Sequence, residues 1–138
     1  MPTLAIAGIA YNAEKGRMIK AIKFATVPVT DQDRALEFYT RKLGFRVVSD
    51  SPFDDRQRWI ELGIPRAETR LVLFTGPGQE SLIGSFMNVA FATKDVEATA
   101  EELKARGVRF VQEPQKADWG TSAIFEDPDG NRFVLATP

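Results

Sequence analysis

The chain has 138 residues, 43% of them apolar and 27% charged, with a net charge of −1. That is one domain's length of ordinary globular composition, without the basic excess that nucleic-acid phosphates demand. Cysteine and histidine are both absent, which excludes disulfides, thiolate metal centres and cysteine nucleophiles and removes the commonest general base and transition-metal ligand.

Residues 1–19 read as an N-terminal extension. Residues 1–17 are an extra strand or arm, a flexible leader, or sequence upstream of a start at Met18. Their short apolar stretch, residues 4–11, lacks the basic start and long apolar centre of a secretory signal. No apolar run approaches the ~20 residues of a membrane span, so the reading is a cytoplasmic protein with no membrane partner.

Residues 23–29 (KFATVPV) are β-rich and run into Thr30 and Asp31, either of which can cap a helix by accepting from its free first-turn amides. That helix carries Leu36, Tyr39 and Leu43 on one stripe and ends at Gly44. Three strand-like runs come next, at residues 45–49, 58–62 and 70–74. After a Gly- and Pro-rich connection the order repeats, with a strand at 87–93 and a helix that starts at Asp95 and buries Val96, Ala100 and Leu103. It stops at Gly107, and strands succeed it at 108–112, 122–126 and 131–136. The pattern is βαβββ taken twice, with module 1 at about 20–75 and module 2 at about 86–138.

The closing run DPDGN, residues 127–131, groups acids as a calcium loop would. Its spacing is wrong, because an EF-hand needs glycine at its sixth position and glutamate at its twelfth. Pro128 presets φ, Asp129 and Asn131 tolerate turn geometry, and Gly130 accepts positive φ, so the run is read as a hairpin turn.

Taken together, VPVTDQDRALEFYTRKLGF, FATKDVEATAEELKARGVRF and DPDGNRFVL in this order resemble the glyoxalase/bleomycin-resistance/extradiol-dioxygenase (vicinal oxygen chelate) superfamily over residues 20–138. The resemblance implies an α+β fold. Its two βαβββ modules form an open, barrel-like mixed sheet with helices outside, and members often form homodimers. In the family's metalloenzymes four strand positions hold one divalent ion. Carried over, they fall on Phe24, Val72, Asn88 and Val134, the third by its 64-residue offset from the first. Phe24, Val72 and Val134 offer no lone pair and Asn88 only a neutral oxygen, so no metal and no cofactor is expected, and glyoxalase chemistry is not. Asp54, Asp55, Glu61 and Glu68 are read as solvated acids, and no residue is identified as catalytic.

Alternation along the strands then places Phe24 with Thr26, Val72 with Arg70 and Phe74, Asn88 with Ala90, and Val134 with Arg132 in one mainly apolar cleft. Trp119, on a polar loop, either stacks on a ligand at the cleft mouth or lids a barrel end. Trp59 is read as core and Arg58 as an exposed edge charge. The expected function is binding or sequestration of a small organic molecule in an apolar cleft without a metal. The alternative is a divalent-metal lyase, isomerase or dioxygenase with atypical ligands.

Overall fold

The structure, a computed structural model, describes residues 18–138. All but the last two residues of the expected N-terminal extension lie outside them. Among the described residues no helix is long and apolar enough to cross a membrane.

Module 1 runs β1 (Phe24–Val27), α1 (Gln32–Glu37), β2 (Arg46–Pro52), β3 (Arg58–Gly63) and β4 (Arg70–Leu73). Module 2 runs β5 (Phe86–Ala92), α2 (Val96–Ala105), β6 (Arg109–Ala117), β7 (Gly120–Glu126) and β8 (Arg132–Ala136). Each module makes a four-stranded mixed sheet, ordered β1-β4-β3-β2 and β5-β8-β7-β6, with its first and last strands parallel. The α+β class and the doubled βαβββ order read from the sequence are both present.

The helix caps are local chemistry. The Asp31 carboxylate accepts from the Arg34 amide and that of Asp95 from the Ala98 amide, each at 3.0 Å. α2 buries Val96, Ala100 and Leu103 as its periodicity implies. α1 continues into a π-helical turn over Phe38–Lys42. Ala35, Phe38 and Tyr39, at i, i+3 and i+4, are the buried face, while Leu36 and Leu43 of the expected stripe pack against the same core only partly covered. Gly44 then closes the turn at φ 83°.

Each sheet covers one face. Ile60, Leu62, Leu71 and Leu73 of the first sheet and Ala123, Phe125, Phe133 and Leu135 of the second join residues of both helices in a single core. Tyr39 of module 1 meets Phe133 edge-on at 6.2 Å, and Phe45 meets Phe91 at 5.6 Å. Because both covered faces feed one core, both uncovered faces turn away from it.

The DPDGN run is a turn, as expected, and it also joins the modules. Asp127 is 5% exposed, and its carboxylate accepts from the Tyr39 hydroxyl at 2.7 Å, Asn131 Nδ2 at 2.9 Å and the Asp129 and Asn131 amides. Fully buried Asn131 donates to Pro28 O at 2.9 Å and accepts from the Gly84 amide at 2.7 Å. Asp129 takes Thr30 and Arg34 of module 1.

Burial raises the Asp127 pKa, and the Tyr39 hydrogen bond opposes that rise. Tyr39→Phe removes this donor, so the folded-state pKa of Asp127 climbs further above its unfolded value. Stability carried by a raised carboxylate pKa is present below the unfolded pKa and is lost as pH rises through the folded one. Tyr39→Phe should therefore cost about 1–3 kcal/mol near pH ~7 and less near pH ~4, measured by urea denaturation at both. An equal cost at both would show that the hydroxyl is not coupled to the Asp127 charge.

Candidate functional site

The uncovered face of the first sheet is an aromatic wall. Phe24 meets Trp59 edge-on with centroids 5.4 Å apart, Trp59 meets Phe74 at 5.2 Å, and Phe74 meets Phe53 at 4.8 Å. Strand alternation produces it: Ala25, Ile60, Leu71 and Leu73 point into the core, so Phe24, Trp59, Arg70 and Val72 point away from it. Trp59 is thus half-buried on the open face rather than in the core expected for it. Thr26 is exposed and Val72 buried on the same face.

One polar group interrupts the wall. The Glu61 carboxylate accepts from Trp59 Nε1 at 3.2 Å and Arg70 Nη1 at 2.7 Å. The Arg70 hydrogen bond, then that of Trp59, holds this carboxyl below the usual range. Where the aromatic row ends, a groove of about 1000 Å³ opens between Phe53 at the β2–β3 hairpin tip and Pro77 and Ile83 of the linker.

The uncovered face of the second sheet is shallow. Ala90, Ala92, Val134, Ala136 and Ser122 form most of it, with Phe86, Asn88, Ile124 and Arg132 beside them. Asn88 departs from its expected place. Between the pairings Phe86↔Arg132 and Ala90↔Val134, β5 advances four residues while β8 advances two. The excess is a bulge, and Asn88 lies within it at φ 58°. By pairing, the counterpart of Phe24 is therefore Phe86, since Phe24 faces Arg70 as Phe86 faces Arg132. The 64-residue offset led to Asn88 because an offset cannot show a bulge.

The expected site residues thus fall into two groups that one chain does not bring together. Phe24, Thr26, Arg70, Val72 and Phe74 share the first face, and Asn88, Ala90, Arg132 and Val134 the second. Trp119 stands at the β6–β7 hairpin tip, 65% exposed. Phe53, Trp59 and Glu61 were missed as site residues. The period-two spacing of Trp59 and Glu61 carried the signal, but nothing in the sequence fixed which side of the sheet was open. Arg58, read as an exposed edge charge, is instead half-buried on β3 between β2 and β4, and it is held by Asp33 at 2.9 Å and Asp50 at 3.0 Å.

The divalent ion of the family's metalloenzymes fails a test of fit. Of the four positions carried over from the sequence, Phe24, Val72 and Val134 are hydrocarbon side chains and Asn88 lies in the bulge, where pairing puts Phe86 in its stead; among the described residues no three acidic side chains converge. Glu61 is committed to Arg70 and Trp59, and Asp54 accepts from the Arg56 and Gln57 amides, both at 2.8 Å.

The paired modules, the open sheets and the terminal turn belong together in one family: the chain is a member of the Glyoxalase/Bleomycin resistance protein/Dioxygenase superfamily, whose model matches residues 21–135. It is 37% identical over 118 residues to the uncharacterized protein YetH of Bacillus subtilis, covering 86% of this chain and 98% of that one. Its fold matches TnmS3, an antibiotic binding protein from Streptomyces sp. CB03234, with TM-score 0.77 and 36% identity over 87% of this chain and 97% of that one. A superfamily member from Sphaerobacter thermophilus also superimposes with TM-score 0.77, at 32% identity over 88% of this chain and 99% of that one.

Left-handed backbone costs little for asparagine or glycine and more for a β-branched residue. Asn88→Gly should leave stability within about 0.5 kcal/mol and Asn88→Val should lower it by about 1–2 kcal/mol, read from denaturant midpoints. Equal effects would mean that the bulge is not held in solution.

Proposed function

We propose that this protein binds a small organic molecule without a metal ion. A flat apolar part of that molecule lies on the aromatic wall of the first sheet. The observation that carries the reading is the row Phe24–Trp59–Phe74–Phe53 on an uncovered face, with Phe53 59% exposed. Aromatic faces attract apolar rings through buried area and offset or edge-on packing. The hydrocarbon side chains at three of the four metal positions support the metal-free reading, and the likeness to an antibiotic binding protein supports small-molecule binding.

A single chain offers the wall but no opposite wall, because its other open face turns away. The second sheet of another copy supplies a fitting cover: its small side chains at Ala90, Ala92, Ala136 and Ser122 leave room for a thin ligand over the bulky wall. The working unit is accordingly a homodimer with two equivalent sites.

Trp119→Phe leaves Trp59 as the single tryptophan. In that variant, flat aromatic compounds should quench Trp59 emission saturably, one per chain, while scattering returns twice the chain mass. Unchanged emission across a broad panel of aromatic compounds would overturn the binding reading, and a monomer mass the dimer. Elemental analysis should find no stoichiometric divalent metal in purified protein; finding one, with chelation abolishing ligand binding, would overturn the metal-free reading.

A further inference from the structure

The two modules are structural duplicates, so strand pairing identifies each residue's counterpart. Phe24 faces Arg70 as Phe86 faces Arg132. One strand over, Glu61 faces Val72 as Ile124 faces Val134. Arg70 and Arg132 are therefore counterparts, and so are Glu61 and Ile124. In module 1 the Glu61 carboxylate neutralises Arg70 at 2.7 Å. In module 2 an isoleucine stands where that carboxylate would be.

Arg132 is half-buried, and among the described residues its guanidinium has no ion pair and no hydrogen-bond partner. The nearest acid in the ladder, Glu126 on β7, pairs with Arg109 Nε at 3.3 Å. The row Arg109–Glu126–Arg132 thus keeps one positive charge in excess. Phe86, Ile124 and Val134 flank Arg132 with hydrocarbon. Covering that face strips water from a guanidinium whose cross-strand carboxylate, Glu126, is engaged by Arg109. The cover is favourable when it brings an anion, which a guanidinium binds through two parallel hydrogen bonds.

We infer that Arg132 receives an anionic substituent of the bound molecule, a carboxylate, sulfonate or phenolate, so that the ligand is a flat aromatic organic acid spanning two copies of the chain. The inference rests on the binding reading above and adds the ligand's charge and the residue that selects it. Arg132 is a specificity residue, and the aromatic wall selects for shape independently of it.

Two fluorescent probes separate the two ideas: anilinonaphthalene sulfonate and its uncharged parent, phenylnaphthylamine. The dimer should bind the sulfonate about tenfold more tightly than the parent. Arg132→Gln should erase that preference while leaving the parent's affinity and the dimer mass unchanged. Ile124→Glu, which rebuilds the module 1 pair around Arg132, should erase it too. Equal affinities for the two probes in the unsubstituted protein would overturn the anion inference and leave the aromatic-wall reading standing. Failure of both probes to bind would overturn both. Loss of the dimer in Arg132→Gln would assign the guanidinium to a carboxylate across the interface and overturn the inference.

Discussion

The buried Asp127 carboxylate is the constraint on which the rest of this structure depends. It accepts four hydrogen bonds, one of them from Tyr39, 88 residues away. Ionising a carboxylate out of water is costly, and only a full set of donors makes such a burial tolerable. Removing one donor from such a group costs about 1–3 kcal/mol. The exposed pair Glu37–Arg41, at 3.9 Å, contributes tenths of that. The Asp127 cluster therefore sets how the modules meet, and surface charge does not. Both sheets press their covered faces toward this junction, which leaves both ligand-sized faces outward.

Much of this was legible in the sequence because it is written locally. Asp31 and Asp95 cap the helices they precede, Gly44 and Gly107 end them, and DPDGN turns the chain. The hidden features depend on distant partners. Nothing near Asp127 names Tyr39, and nothing near Asn131 names Pro28, 103 residues away. The bulge in β5 shifts a register without changing a residue type, and it transferred the counterpart of Phe24 from Asn88 to Phe86.

The open side of each sheet was hidden for a related reason. Alternation correctly grouped Phe24 with Thr26 and Val72 with Arg70, but a period of two is symmetric between faces. Which face is covered depends on where the helices pack, and that is a property of the assembled core. Trp59 illustrates the point. Its neighbours Arg58 and Ile60 were placed with it in one strand, and only the packing of Ile60 into the core sends Trp59 outward. Duplication then hides a difference in chemistry. The two modules share a backbone plan, yet one face has become aromatic and the other small, with an arginine paired on the first and, among the described residues, unpaired on the second.

The junction at Asp127 also bears on how the molecule comes apart. Two modules joined only by a linker could melt one at a time, each with its own transition. Here Tyr39 belongs at once to the module 1 helix and to the donor set of a module 2 carboxylate, and Asn131 is held by both Pro28 and Gly84. Opening either half strands buried polar groups in the other. The duplicated halves are therefore bound into one cooperative unit, and their melting collapses into a single event.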